Sequence, residues 1–132
     1  MRILIVDDDY VSRSKLKALL SKYGDCDVVP NGDLALEMFR CAHAEAIPYD
    51  LISMDVNMPG DKGQEVVRKI RNWEAEHRIP QTAIEVKILM VTVVNDPHDI
   101  TLSFRQGCEG YLIKPITPEK LKEALAKIEI KE

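Results

Sequence analysis

Two short segments of the chain are apolar at every position, and they constrain the fold more than any other feature. They are Ile3–Val6 and Ile88–Val91. A strand with one face in water alternates apolar and polar residues, so an unbroken apolar run predicts a strand that is buried on both faces. Sheets of such strands are typically parallel and carry helices on each side. The two segments therefore predict the centre of a parallel α/β sheet.

Amphipathic segments with helical spacing of their apolar residues alternate with short strands along the chain. The predicted strands are Ile3–Val6, Asp27–Val29, Leu51–Met54, Lys87–Thr92 and Tyr111–Ile113. This alternation predicts five strands and five helices joined by right-handed crossovers. The helix predicted over residues 96–106 has a thin apolar stripe, essentially Ile100 and Phe104, and should be the least firmly packed of the five.

Several residues predict where helices and turns begin and end. Asp9 is expected to cap the first helix, and Thr117 followed by Pro118 marks the start of the last one. Gly24 is expected to end the first helix. The connection from about residue 72 to residue 85 is longer than such a fold needs, and Ile79–Pro80 suggests a turn within it.

Size and composition narrow the class of protein. A length of 132 residues predicts a single domain, residues 1–132. A net charge of −4 argues against nucleic acid as a direct partner, and the apolar runs are too short to cross a membrane. Three widely spaced cysteines with no C-x-x-C pair are typical of reduced thiols, which predicts a cytoplasmic protein.

Polar residues follow four of the predicted strands, where open α/β sheets bind their ligands. They are Asp7 and Asp8 after the first strand, Asp55 after the third, Thr92 at the end of the fourth and Lys114 after the fifth. If the first and third strands are neighbours, the three carboxylates converge and repel one another unless a cation neutralises them. Mg²⁺, which prefers oxygen ligands, suits such a site.

Each of these residues also has an ordinary structural explanation, such as a helix cap, a strand end or a solvated lysine. Their combination carries more weight, because it joins a carboxylate nucleophile, a metal site, a cation and a hydroxyl donor. Those groups bind and transfer phosphoryl groups, largely by positioning and charge neutralisation. Aspartate forms a covalent acyl phosphate in other phosphoryl-transfer proteins.

The motifs at these strand ends resemble those of one family along essentially the whole chain. The matching segments, in order, are Ile3–Asp9, Asp55–Gly60, Val91–Thr92 and Gly110–Ile116. They resemble the receiver domain of two-component response regulators, including the chemotaxis regulators. The resemblance implies a flavodoxin-like, doubly wound five-stranded sheet of order 2-1-3-4-5 with five helices. It also implies a phosphorylation-dependent signalling switch rather than an enzyme.

The resemblance further implies a role for each site residue. Asp55 would accept a phosphoryl group from a histidine kinase or a histidine phosphotransfer protein. Asp8, Asp55 and the backbone carbonyl of Asn57 would ligate Mg²⁺ directly, and Asp7 would act largely through a bound water. Lys114 would pair with the phosphoryl oxygens.

The same resemblance implies how the signal leaves the site. Thr92 would move to hydrogen-bond the phosphoryl group, and Tyr111 would follow by turning inward. The output face would comprise helix four, strand five and helix five, and phosphorylation-dependent homodimerisation stays open. The Lys114–Pro115 peptide bond is expected to be cis. Val93 and Val94 depart from the small residue usual after Thr92, and we expect their bulk to slow loss of the phosphoryl group.

Two other classes of protein compete with this interpretation. A phosphohydrolase of the haloacid dehalogenase type needs Asp-x-Asp, but Asn57 occupies the second position and the chain leaves no room for a cap domain. A flavodoxin-like cofactor binder needs a first loop rich in Ser, Thr and Gly, whereas this loop is Asp7-Asp8-Asp9. Turnover of a phosphomonoester would identify the first, and flavin absorbance the second.

Overall fold

A computed structural model describes residues 1–77 and 85–132 of the chain. Strands and helices alternate along it. The strands are β1 (Arg2–Val6), β2 (Asp25–Val29), β3 (Leu51–Met54), β4 (Lys87–Thr92) and β5 (Gly110–Ile113). The helices are α1 (Tyr10–Leu20), α2 (Gly32–Ala44), α3 (Gly63–Glu76), α4 (Pro97–Gln106) and α5 (Pro118–Lys127).

All paired strands run parallel, and their order is β2-β1-β3-β4-β5. The predicted flavodoxin-like α/β fold is therefore confirmed. A helix joins each strand to the next strand in the sequence, and these crossovers place helices on both faces of the sheet. In the described ranges, no helix is both long enough and apolar enough to cross a membrane.

The two apolar runs are buried on both faces, as predicted, because successive side chains of a strand point to opposite faces. Leu4 and Val6 of β1 join a hydrophobic cluster with residues of α2 and α3. Ile3 and Ile5 of the same strand join a second cluster with residues of α1 and α5. Every side chain of Ile3–Val6 therefore contributes to a hydrophobic core.

The predicted end of the first helix at Gly24 is wrong. Helix α1 ends at Leu20, and Tyr23 is buried in the turn that follows. Gly24 has a different role, because a Cβ atom there would collide with the backbone carbonyl of Met1. The adjacent Asp25 amide donates a hydrogen bond to that same carbonyl at 2.9 Å. Gly24 thus permits close contact between the start of β2 and the N-terminus.

Helix α3 extends into the segment predicted as a long connection. It continues to Glu76 because its last turns are well packed. The Trp73 ring makes an edge contact with Phe39 of α2 at a centroid distance of 5.3 Å, and Glu74 is buried beside Arg71. The turn predicted at Ile79–Pro80 lies outside the described residues. The predicted caps Asp9 and Thr117 are confirmed, since each accepts a hydrogen bond from a backbone amide of its helix.

Helix α4 is held mainly by polar contacts, which agrees with the prediction that it is the least firmly packed helix. Ser103 is its one buried residue. Near the start of α4, the side-chain amide of Gln64 in α3 donates to Asp99 at 3.0 Å. Past its C-terminal end, the guanidinium of Arg71 in α3 donates to the carbonyl of Gly107 at 3.0 Å. Two hydrogen bonds to α3 thus hold the ends of α4.

Arg71 is also the centre of a part-buried ion-pair network. Its guanidinium lies 2.7 Å from a carboxylate oxygen of Glu74 and 2.7 Å from one of Glu109. The second oxygen of Glu74 accepts from the Val86 amide, and that of Glu109 accepts from the Ile88 amide. Because the Glu74 side chain is only 2% exposed, its charge depends on Arg71 for compensation.

Replacing Arg71 with methionine should lower the free energy of unfolding by about 3–5 kcal/mol, because the change leaves a buried carboxylate unpaired. Urea denaturation of the parent and R71M measures the difference. The matched control is R68M in the same helix, which removes the largely exposed pair Arg68–Glu65 and should change the free energy of unfolding far less. Adding Glu74→Gln to R71M should recover part of the loss. Equal effects of R71M and R68M would contradict the assignment.

Candidate functional site

The predicted polar residues meet at the carboxyl edge of the sheet. Backbone hydrogen bonds join the strand ends there: the Asp7 amide donates to Val29 at 3.2 Å, and the Asp55 amide donates to Val6 at 3.0 Å. These bonds continue the parallel ladder one residue beyond the strands. The side chains of Asp7 and Asp55 therefore begin from fixed and neighbouring positions.

Three carboxylates form a cluster at this edge. One oxygen from each of Asp7, Asp8 and Asp55 lies within 4.8 Å of the others. Asp7 is 0% exposed and Asp55 is 7% exposed, whereas Asp8 is open to solvent. An all-oxygen donor set with one exposed member suits a hard divalent cation such as Mg²⁺, which retains several waters. The predicted convergence of these carboxylates is confirmed.

Lys114 reaches this cluster from β5. Its ammonium lies 2.6 Å from an oxygen of Asp7 and 3.6 Å from an oxygen of Asp55. The Lys114 amide donates to the Thr92 carbonyl at 2.8 Å, which places the lysine one residue beyond the end of β5. The Lys114–Pro115 peptide bond is cis, as expected.

The environment of Asp55 disfavours its ionised form. Burial raises the pKa of its carboxyl above the ordinary value, and the negative charge of Asp7 acts in the same direction. The Thr92 hydroxyl and the Lys114 ammonium act in the opposite direction but do not cancel the effect of burial on the pKa. A positive charge arriving at this site would therefore be stabilised.

Thr92 and Tyr111 both form hydrogen bonds with the backbone of Val94. The Thr92 side chain is fully buried, and its hydroxyl accepts from the Val94 amide at 3.3 Å. The Tyr111 hydroxyl donates to the Val94 carbonyl at 2.8 Å. One short segment after β4 thus contacts both predicted switch residues. Asn57 is exposed, and its amide donates to Asp55 at 3.4 Å.

The two valines after Thr92 occupy different environments. Val93 is 69% exposed and lines a groove of about 340 Å³ with Ser12 and Lys114. Val94 packs against the hydrophobic cluster on the α2 and α3 side of the sheet. Of the two valines, Val93 is therefore the one beside the Lys114 side of the site, and the shielding and slow loss of the phosphoryl group stay predictions.

Sequence inspection missed three residues that contact the site. A Cβ atom on Gly63 would collide with the Asp55 carbonyl, so this glycine allows α3 to begin directly beside the acid. Ser12 lies 3.2 Å from the Lys114 ammonium, and Arg13 donates to the Asp7 carbonyl at 2.8 Å. The glycine at the start of a helix was a detectable signal. The Ser12 and Lys114 contact joins residues 102 positions apart and leaves no local pattern.

The three cysteines lie away from this cluster and are free. Cys108 is buried, and burial raises the pKa of its thiol to about 12. It behaves as a small apolar residue.

Comparison with known proteins decides the family. The model of the response regulator receiver domain matches residues 3–126. The chain belongs to the response regulator receiver family. Receivers are phosphoacceptor domains of two-component signalling rather than conventional enzymes. The acidic cluster of this receiver lies at the carboxyl edge of the sheet, where the sequence predicts it.

Relatives of this receiver include proteins of similar length and longer proteins. It is 33% identical over 125 residues to the chemotaxis protein CheY1 of Helicobacter pylori, covering 95% of this chain and 94% of CheY1. It is 33% identical over 126 residues to the nitrate/nitrite response regulator NarL of Escherichia coli, covering 93% of this chain. The match spans about half of NarL, 52%.

A solved structure with the same fold is that of the response regulator TrrA from Thermotoga maritima, in complex with Mg²⁺–BeF. It is 32% identical with a TM-score of 0.75, and the match covers 96% of this chain and 97% of that one.

Asp55→Asn should stabilise the fold at neutral pH in the absence of divalent cations. Because the folded-state pKa of Asp55 is raised, its contribution to stability is present below the unfolded pKa of about 3.9 and is lost as the pH rises through the folded pKa. We expect D55N to melt a few degrees above the parent at pH 7 in EDTA, with the difference shrinking toward pH 4. The matched control is Asp25→Asn, an exposed acid at the start of β2, which should not show this gain. A lower melting temperature of D55N at pH 7 would contradict the pKa direction.

Proposed function

We propose that residues 1–132 form one receiver domain whose phosphoacceptor is Asp55. One observation carries the proposal: the Asp55 carboxylate lies 3.6 Å from the Lys114 ammonium and within 4.8 Å of oxygens from Asp7 and Asp8. A nucleophilic carboxylate, a cation and two further acids thus face the same space. This arrangement suits the transfer of a phosphoryl group, whose negative charge must be neutralised as it moves.

The residues around Asp55 take separate roles in this proposal. The Asp55 carboxylate attacks phosphorus, and a carboxylic–phosphoric anhydride forms as the donor's leaving group departs. The Lys114 ammonium donates to the phosphoryl oxygens. The Thr92 hydroxyl then donates to the same group, and the Val94 segment that it shares with Tyr111 transmits the change. The hydrogen bonds from Val94 to Thr92 and from Tyr111 to Val94 support this path.

Mg²⁺ is the proposed cofactor, because the donor set fits it. Asp8, Asp55 and the carbonyl of Asn57 would hold the ion directly, and Asp7 would hold it largely through water. When bound, the ion supplies positive charge that offsets the negative charge of the carboxylates and of the phosphoryl oxygens. The TrrA structure in complex with Mg²⁺–BeF supports the assignment.

The proposed donor is a histidine kinase or a histidine phosphotransfer protein in the cytoplasm. Family membership supports this class of partner, and the three free cysteines support a reducing compartment. The net charge of −4 agrees with a protein partner rather than nucleic acid.

The proposed output face comprises α4, β5 and α5. A groove of about 500 Å³ runs between these elements and is lined by Ile100, Phe104 and Tyr111 among others. Phe104 is a large apolar side chain that is exposed on this face. Tyr111 lines this groove, and its hydroxyl donates to the Val94 carbonyl beside the site. A shift of Tyr111 would therefore change the shape of the groove and connect the site to this surface.

Labelling with a small phosphodonor tests the proposal. Acetyl phosphate with Mg²⁺ should label the parent to a single equivalent, and D55N, which lacks the nucleophile, should take up no label. The control is Asp33→Asn, an exposed acid at the start of α2, which should label like the parent.

Two outcomes would contradict the assignment. Label that persists in D55N on another aspartate would exclude Asp55 as the acceptor. Many turnovers of a phosphomonoester would favour the phosphohydrolase alternative, although Asn57 occupies the place of its acid/base residue.

Mg²⁺ should stabilise the parent against unfolding, because it relieves repulsion among carboxylates that only the fold brings together. The gain follows RT ln(1 + [Mg²⁺]/Kd), about 1.4 kcal/mol at ten times Kd. Thermal melts over a Mg²⁺ titration measure it. Asp8→Ala should abolish the dependence and still fold, since Asp8 is exposed, whereas Asp33→Ala should retain it. A parent melting temperature that ignores millimolar Mg²⁺ would count against the metal site.

A further inference from the structure

The Lys114 ammonium is held from two sides. It lies 2.6 Å from Asp7 Oδ2 and 3.2 Å from Ser12 Oγ, so two of its three N–H donors are engaged. Its distance to Asp55 Oδ2, 3.6 Å, is longer than an ordinary hydrogen bond. The Lys114 side chain is 15% exposed, so water has limited access to the third donor. That donor remains for the Asp55 side of the cluster.

The chemistry of the neighbours fixes the direction of the Ser12 hydroxyl. Ser12 Oγ also lies 2.9 Å from Asp9 Oδ2. An ionised carboxylate only accepts and an ammonium only donates. The hydroxyl must therefore donate to Asp9 and accept from Lys114. Asp9 Oδ2 also accepts from the Ser12 amide at 3.1 Å, so the same acid holds the serine by backbone and side chain.

Ser12 differs from Asp7 in what else it contacts. Asp7 belongs to the acidic cluster, where a bound cation competes with Lys114 for its negative charge. Ser12 and Asp9 are not members of that cluster. A cation bound to the carboxylates therefore does not compete directly for the contact between Ser12 and Lys114. Asp9 is joined to the cluster through its backbone amide, which donates to Asp7 Oδ1 at 2.9 Å.

We propose that Ser12, oriented by Asp9, is a positioning residue that holds the Lys114 ammonium with its free donor toward Asp55. The proposal rests on the proposed function, in which Asp55 accepts the phosphoryl group and Lys114 binds its oxygens. A lysine ammonium is a point charge on a flexible stem, and a second anchor reduces the freedom that it loses when the phosphoryl group arrives. Asp9 thereby acts on the site, through Ser12, in addition to capping α1.

Removing the Ser12 hydroxyl should slow phosphorylation. With acetyl phosphate and Mg²⁺, the initial labelling rate of Ser12→Ala should fall about three- to tenfold, the range expected for one hydrogen bond. Ser12→Thr keeps a hydroxyl and should restore most of the rate. The matched control is Ser14→Ala, which removes an exposed hydroxyl from the same helix and should leave the rate unchanged.

Comparison in a Lys114→Met background separates positioning from a role in the fold of α1. There Ser12→Ala should have no further effect on the rate, because the group that it positions is gone. A second readout needs no phosphodonor: the NMR signals of the Lys114 side chain in metal-free protein should shift in S12A and stay in place in S14A.

Failure of this proposal is distinguishable from failure of the proposed function. Ser12 does not act through the lysine if D55N loses its label while S12A labels at the parent rate. The same conclusion follows if Ser12→Ala slows labelling by the same factor in the parent and in the Lys114→Met background. Unmoved Lys114 signals in S12A would also overturn the proposal. Label retained by D55N would instead overturn the assignment of Asp55.

Discussion

Electrostatic repulsion among three carboxylates is the constraint on which the arrangement of this receiver depends. The parallel sheet forces Asp7, Asp8 and Asp55 together, because β1 and β3 are neighbours and their carboxyl ends meet. Such a cluster is tolerable only if positive charge lies against it. Lys114 supplies part of that charge from β5, two strands from β3. One ammonium does not balance three carboxylates, so the site retains excess negative charge until a cation or a proton binds. This excess charge favours the binding of positively charged ligands.

The rest of the fold fixes these charges in place. Strand-end hydrogen bonds set where Asp7, Asp55 and Lys114 leave the sheet, and hydrophobic clusters on both faces hold the strands in register. Repulsion at one edge is thus opposed by apolar burial throughout the sheet. Burial of the Asp55 carboxyl, with a further contribution from the charge of Asp7, raises its pKa, so holding this acid at the edge of the sheet costs stability at neutral pH.

Much of this organisation could be predicted from the sequence, because it follows from local patterns. Unbroken apolar runs such as Ile3–Val6 indicate strands buried on both faces, and acids at strand ends indicate the site. Contacts between distant residues could not be predicted in this way. Gly24 looks like a helix end in the sequence, yet it is needed for contact with Met1.

The end of α3 illustrates the same limit. It lies at Glu76 because Trp73 packs on Phe39 and Glu74 accepts from the Val86 amide, and no local pattern reveals either contact. The Ser12 contact with Lys114 belongs to the same group of long-range features, and so do the hydrogen bonds that hold α4.

Helix α4 differs from the other helices in the kind of interaction that holds it in place. Its ends are attached to α3 through Gln64 and Arg71, and it buries a single residue, Ser103. Moving it would exchange a few hydrogen bonds for bonds to water and would leave both hydrophobic clusters largely intact. Its position is therefore thermodynamically separable from global unfolding. A signal far weaker than the stability of the whole domain suffices to relocate such an element.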